Sequence, residues 1–407
     1  MKEWQKFTLL VIVFLAAYYI PFSNTRVQGA IMESFAMLQE YAQKHILFCL
    51  VPAFFIAGAI AVFVNQAAVM KYFGAKAKKW LSYSVASVSG TILAVCSCTV
   101  LPLFAGIYNR GAGIGPATAF LYSGPAINVL AIILTARILG WQMGLARAVG
   151  AVAFAFIVGG LMAVIFRKDE LKREEAAYAV MPESEPEARK GWQQILYFLM
   201  MVLILIFAAW GKPSEPVGFW NAVYSIHWYL ASASLLALIV MLIFWFQRDE
   251  LRDWVDSTWG FSKQILPLLF AGVIAAGFLM GRPESQAGII PSKYISVLVG
   301  GNSLFANFLA SIVGALMYFA TLTEVPILQG LLGSGMGQGP ALALLLAGPA
   351  LSLPNMLVIR SIIGTKKMLV FVGLVVIMAT FTGMLFGAIE GIQLNYLKTV
   401  YDWKRVG

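Results

Sequence analysis

Hydrophobic and polar positions in this chain come in long blocks rather than alternating with the period of a surface helix or strand. Apolar runs of about 18 residues or more can each cross about 30 Å of hydrocarbon as a helix. They recur at roughly 5–22, 46–64, 82–109, 114–139, 142–166, 192–211, 227–246, 264–281, 303–332, 337–363 and 367–390. Aromatic residues sit at the run ends: Trp80 and Tyr83, Trp141, Trp192, Trp228 and Tyr229, and Trp245. Amphipathic rings favour the headgroup level, so these positions predict interfacial belts. The stretch 167–191 is densely charged, contains two prolines and reads as a linker. Segments 66–80 and 248–263 are short, charged and interrupted by aromatics, as interfacial helices are. The first run follows Lys2 and Lys6 as a signal peptide would, but no A-x-A-like site follows, and a retained span is expected.

A second pattern lies inside the runs. Residues 102–126 return without gaps 224 positions later as residues 326–350, with glycine and proline dominating the matched columns. Pro102 pairs with Pro326, Gly106 with Gly330, Gly111 with Gly335, Gly113 with Gly337, Gly115 with Gly339, Pro116 with Pro340, Gly124 with Gly348 and Pro125 with Pro349. At the same offset Gly140 matches Gly364 and Gly159 matches Gly383, while 51–58 resembles 266–272 only with gaps. The expected architecture is an all-α polytopic membrane protein with two pseudo-symmetric repeats containing broken or re-entrant helices. Its parts are an N-terminal span and interfacial segment (1–45), a first half (46–166), the linker (167–191), two intervening spans with an interfacial segment (192–263), a second half (264–391) and a tail (392–407). If every broken segment crosses fully, Lys and Arg divide almost evenly between the two sides. If one broken segment per half enters and leaves on the same face, the charges gather on one side with Lys71, Lys76, Lys78, Lys79 and the linker. Cytoplasmic Lys/Arg excess is the physical preference, so the inverted arrangement is expected.

Composition agrees. The 407 residues are 60% hydrophobic and 12% charged, against about a quarter charged in soluble domains. The net charge of +10 is carried by short loops beside the runs, which points to orientation and lipid headgroups rather than nucleic acid. Cys49, Cys96 and Cys98 all lie in apolar sequence, which argues against a disulfide framework, and His45 and His227 are too few for a histidine-rich metal site. The Gly111-x-Gly113-x-Gly115 and Gly335-x-Gly337-x-Gly339 patterns lack a following Lys-Ser/Thr and read as tight connectors, not nucleotide loops. No cofactor is expected.

The breaks carry the candidate chemistry. Irregular backbone in hydrocarbon is tolerated only where protein or cavity water satisfies it, so paired breaks are the best pointer to a transporter's substrate site. The breaks are read at 97–102 and Ser123-Gly124-Pro125 in the first half, and at 321–326 and Gly348-Pro349, with Pro354 following, in the second. Cys96-Ser97-Cys98 lies at the first. Two thiolates this close suit a soft, thiophilic centre, although membrane cysteines also serve as small apolar fillers. The equivalent position reads Thr321-Leu322-Thr323-Glu324, so oxygen replaces sulfur. A carboxylate at that depth costs about 2.5–3.5 kcal/mol and is functional by default; Glu324 is expected to carry a proton or balance substrate charge. Asn128 and Asn355 follow the two Gly-Pro-Ala motifs and can line the same cavity. Arg110, Arg137 and Arg360 read as orientation charges. The candidate substrate-binding set is Cys96, Ser97, Cys98, Pro102, Ser123, Gly124, Pro125, Asn128, Thr321, Thr323, Glu324, Gly348, Pro349 and Asn355, with Cys96 and Cys98 as possible soft-ligand thiolates.

Cys96-Ser97-Cys98-x-x-x-Pro102, Gly111-x-Gly113 and Gly124-Pro125-Ala126-x-Asn128 resemble the signature of the ArsP/YraQ-type permease family. Gly339-Pro340 and Ala347-Gly348-Pro349-Ala350 with Ser352-Leu353-Pro354 resemble that family's second half. The resemblance covers most of 46–390. It implies an inner-membrane permease, not an enzyme; some members export trivalent organoarsenicals such as methylarsenite, with the paired cysteines proposed to meet the arsenic. The expected function is a secondary-type permease exporting a small thiophilic solute. Two alternatives stay open. One is a permease for a sulfur-containing or other small anion held by half-helix N-termini. The other is a membrane thiol oxidoreductase, which lacks its usual C-x-x-C and shuttle pair. Expected partners are a small-molecule substrate, membrane lipid and a coupling proton; the oligomeric state is unknown from sequence.

Overall fold

The computed structural model describes residues 24–64, 78–93, 97–127, 129–180, 191–208, 219–282, 298–317, 324–333 and 335–406, with isolated positions at 7, 11, 14, 18, 21, 210 and 288–289. The described regular structure is helical: α1 (Thr25–Tyr41), α2 (Val51–Phe63), α3 (Lys79–Leu93), α4 (Ser97–Asn109), α5 (Ile114–Ala126), α6 (Val129–Ile138), α7 (Trp141–Ile165), α8 (Arg167–Val180), α9 (Gly191–Ala208), α10 (Phe219–Trp245), α11 (Arg248–Met280), α12 (Leu304–Leu316), α13 (Glu324–Gly333), α14 (Gln338–Ala347), α15 (Leu353–Ile363) and α16 (Thr365–Val406). A π-helical stretch, Ala42–Leu50, joins α1 to α2 through residues in the αR region, so 25–63 is continuous helix across position 45. Among the described residues, five helical stretches are long and apolar enough to span a membrane: Trp141–Ile165, Gly191–Ala208, Asn221–Trp245, Arg248–Leu279 and Thr365–Glu390. Their outer faces expose rows such as Val149, Val152, Phe156 and Val164 on α7, and Leu236, Ile239, Val240 and Ile243 on α10. Exposed apolar surface this extensive fits a lipid environment.

The broken segments resolve into helix pairs. Run 82–109 becomes α3 and α4, 114–139 becomes α5 and α6 bent by 46°, 303–332 becomes α12 and α13, and 337–363 becomes α14 and α15. Backbone geometry repeats at the sequence offset. Gly111 and Gly335 have φ of 99° and 102°, and Gly140 and Gly364 have φ of 103° and 83°, a region open to glycine at little cost. The N–H of Gly111 donates to Tyr108 O at 3.1 Å and that of Gly335 to Leu332 O at 3.0 Å. Matched glycines also mark matched crossings. A Cβ on Gly115 would stand 2.9 Å from Gly159 O in α7, and one on Gly339 would stand 2.6 Å from Gly383 O in α16. Small residues let helix backbones approach this closely in membranes.

Side-chain bonds fix which ends of the helices lie together. Glu170 of α8 accepts hydrogen bonds from the Tyr108 hydroxyl (3.1 Å), the Ile114 N–H (3.0 Å) and the Lys367 ammonium (2.6 Å). The end of α4 and the starts of α5, α8 and α16 therefore meet at one end of the bundle. α3 begins there too: Tyr83 donates to Gly159 O near the end of α7, and further along Ala86 O accepts from Ser123, deeper in α5. α3 and α4 thus enter and leave at the same end. The 25 residues of α7 span about 37 Å, which puts its start, Trp141, at the opposite end. The start of α12 is anchored far along α16, where Asn302 donates to Met384 O at 2.9 Å, and the end of α13 returns beside it through the Gly300–Met336 bridge.

Four local expectations change. Residues 248–263 are not a separate interfacial helix but the first half of α11, capped by a reciprocal Gln247–Glu250 pair. The first fourteen residues of the charged linker fold as α8. Tyr83 is buried against α7 instead of joining the interfacial belt, whereas Trp80, Trp141, Trp192, Trp228 and Tyr229 are exposed. The breaks sit beside their proline motifs: Pro102 lies inside α4 and Pro125 inside α5. Span 5–22 and segment 66–80 fall almost wholly outside the described residues.

Candidate functional site

α5 and α14 form the centre of the bundle, with every residue from Ile114 to Ala126 and from Gly339 to Ala347 buried. The Tyr122 hydroxyl of α5 donates to Leu346 O of α14 at 2.8 Å, linking two positions that are each other's repeat equivalents. Around this contact stand α6, α7 and α13. Glu324 is the first residue of α13 and is buried; a carboxylate in a first helical turn faces the positive end of the helix dipole.

The structure supplies its partner. Arg147, fully buried in α7, donates through Nη2 to Glu324 Oε1 and through Nη1 to Thr135 Oγ1 at 2.9 Å; Thr135 itself donates to Ala131 O at 2.6 Å. Both charged side chains have no solvent exposure. Arg147 Nε and Glu324 Oε2 have no hydrogen-bond partner among the described residues, and Tyr122 lies within range of both charges. The pair joins the first half to the second at the edge of a break. The sequence reading missed Arg147, although the argument that singled out Glu324 applies equally to an arginine inside the apolar run 142–166.

The other candidates are distributed as follows. Ser97 and Cys98 begin α4, with only their backbone among the described atoms, and Cys96, Asn128, Thr321 and Thr323 lie outside the described residues. Pro102, Gly124 and Pro125 are buried within α4 and α5. Ser123 donates to Ala86 O and Phe120 O, both at 3.2 Å, so it ties α5 to α3. Gly348 closes α14 by donating to Leu344 O at 2.8 Å, and Pro349 follows it in the turn. Asn355 lies in the first turn of α15, which is capped by Ser352, and its buried Oδ1 has no partner among the described residues. The N-termini of α4, α6, α13 and α15 all begin at breaks, and that of α15 is closed by Ser352, whose Oγ accepts from the Asn355 N–H at 3.4 Å.

Matched helix breaks around a buried ion pair, inside a bundle with lipid-type outer faces, define a multi-pass membrane permease. A family model described as predicted permease, ArsP_1, matches residues 31–388, and the chain belongs to that family. It is 45% identical to the UPF0718 protein MJ0584 of Methanocaldococcus jannaschii over 353 residues, covering 86% of this chain and 94% of that protein. It is 23% identical to the UPF0718 protein YraQ of Escherichia coli K12 over 274 residues, covering 67% of this chain and 58% of YraQ. No solved structure matches the chain.

Proposed function

We infer that this permease is a secondary-type transporter of the cytoplasmic membrane whose substrate site lies between the four breaks, in two inverted halves. The inversion is supported by the placement of chain ends: α16, the counterpart of α7, starts at the end of the bundle where α7 finishes. The first cargo reading is export of a small thiophilic solute, such as a trivalent organoarsenical. It is supported by Cys96-Ser97-Cys98 at the break that opens α4, and by chemistry that pairs thiolates with soft centres. Glu324 carries a proton or balances cargo charge. No enzymatic step is required.

Replacing Cys96 and Cys98 together by serine should abolish export-dependent resistance of cells to methylarsenite. Unchanged resistance with normal membrane levels of the variant removes the soft-ligand role. A second reading, transport of a small anion, is favoured by the buried Arg147, a cation inside the bundle whose Nε has no partner among the described residues. Transport retained in the double serine variant and lost in Arg147→Gln would select it.

A further inference from the structure

A buried pair that serves stability alone is expected to saturate both of its ends, because a partly satisfied buried network is less stable than an apolar one. This pair does not: Oε2 of Glu324 and Nε of Arg147 are buried and have no hydrogen-bond partner among the described residues. It also spans the two halves, with Arg147 on α7 and Glu324 where α13 resumes after a break. The titratable groups that face Glu324 among the described residues are Arg147 from α7 and Tyr122 from α5. Of the helices packed on α13, α6 adds only Arg137, whose side chain is exposed, and α14 contains no titratable residue. Local charge is therefore neutral while the pair is intact, and removing either charge strands the other.

The geometry points to an exchange site at which a proton and a small monovalent anion are taken up together, the proton on Glu324 and the anion on Arg147. This rests on the permease reading and names the substrate class of its second form. The Glu324 carboxylate accepts one proton from water and its bond to Arg147 breaks. The anion then accepts the freed guanidinium N–H groups, and the site stays neutral. Release on the other side reverses both steps, so one proton and one anion cross with no net charge. Each ligand removes the penalty that the other would meet alone, and the two affinities are reciprocally linked.

Chloride is a sufficient probe, since the site is defined by charge and not by cargo shape. The full chain is purified in detergent, and its thermal midpoint is followed as chloride replaces gluconate at constant ionic strength. Wild type should be stabilised by chloride at about pH 5 and not at about pH 8, because protonation of the carboxylate precedes anion binding. Glu324→Gln should be stabilised by chloride at both pH values, with the same half-saturating chloride at each. Arg147→Gln should show no chloride effect. Equal wild-type shifts at both pH values, no shift at either, or a chloride effect that survives in Arg147→Gln overturns the proposal. If neither variant folds, the two wild-type titrations decide it. Solute flux through wild-type proteoliposomes without chloride linkage overturns the exchange site and keeps the permease reading. Chloride linkage in proteoliposomes that pass no solute supports the site and overturns the permease reading.

Discussion

Arg147 and Glu324 illustrate why single residues in a membrane bundle must be read against their partners. Either charge alone at this depth is costly, while the pair, supported by Thr135, is tolerated. Arg147→Met should therefore cost about 3–5 kcal/mol by leaving a buried carboxylate unpaired. The double variant Arg147→Met/Glu324→Leu should recover most of that loss, since well-packed apolar replacements of buried pairs are near neutral. A double-mutant cycle on thermal unfolding in detergent measures the coupling, and additive losses would show that the two side chains do not depend on each other. Glu324 was legible in the sequence because it is a lone acid beside a Gly/Pro break. Arg147 was not, because the surrounding run 142–166 has no break and reads as a plain apolar span. Which distant residue neutralises a buried charge is a property of tertiary packing across 177 positions, beyond any local pattern.

Among the elements, the four broken segments were legible because glycine and proline impose backbone conformation locally. Gly111, Gly140, Gly335 and Gly364 all take positive φ, and each closes or opens a helix where the repeat placed it. The breaks themselves moved by a few residues, since Pro102 and Pro125 are accommodated inside α4 and α5; neighbouring helices can satisfy the backbone groups that proline frees. The charged stretch after α7 was less legible. Its composition suggested a linker, yet Glu170 gathers Tyr108, Ile114, Arg173 and Lys367, and Arg173 lies 3.6 Å above the Tyr108 ring. One carboxylate thus docks α8 onto both halves. Glu170→Gln keeps the shape and removes the charge that Lys367 and Arg173 share. It should weaken the docking of α8 by about 1–3 kcal/mol, a figure that allows for the partial exposure of Arg173 and Lys367. Hydrogen exchange should then quicken across 167–180 relative to α7. Unchanged protection there would mean that α8 is held by packing alone.

At the scale of the whole molecule, the repeat acquires a direction. α7 and α16 are equivalent by sequence offset, yet the end of α7 leads through Phe166 to Glu170, which binds Lys367 at the start of α16. The two helices consequently run in opposite senses through the bundle. α3–α4 enters and leaves at one end and α12–α13 at the other. For the proposed secondary-type transporter, such an arrangement would let one half close an end while its counterpart opens the other, as alternating access requires. Trp141 and Thr365 are matched positions at the starts of the two helices, and both are exposed. Single cysteines at these sites, in a chain whose Cys49, Cys96 and Cys98 are serine, should react with a membrane-impermeant maleimide from opposite sides. Trp141→Cys should be blocked only from the outside and Thr365→Cys only from the cytoplasm, because Thr365 shares its end of the bundle with Lys78, Lys79 and the charged helix α8. Labelling of both from one side would make the halves parallel, and the re-entrant pairs would then have to share a face, contrary to their opposite anchoring at Glu170 and Met384.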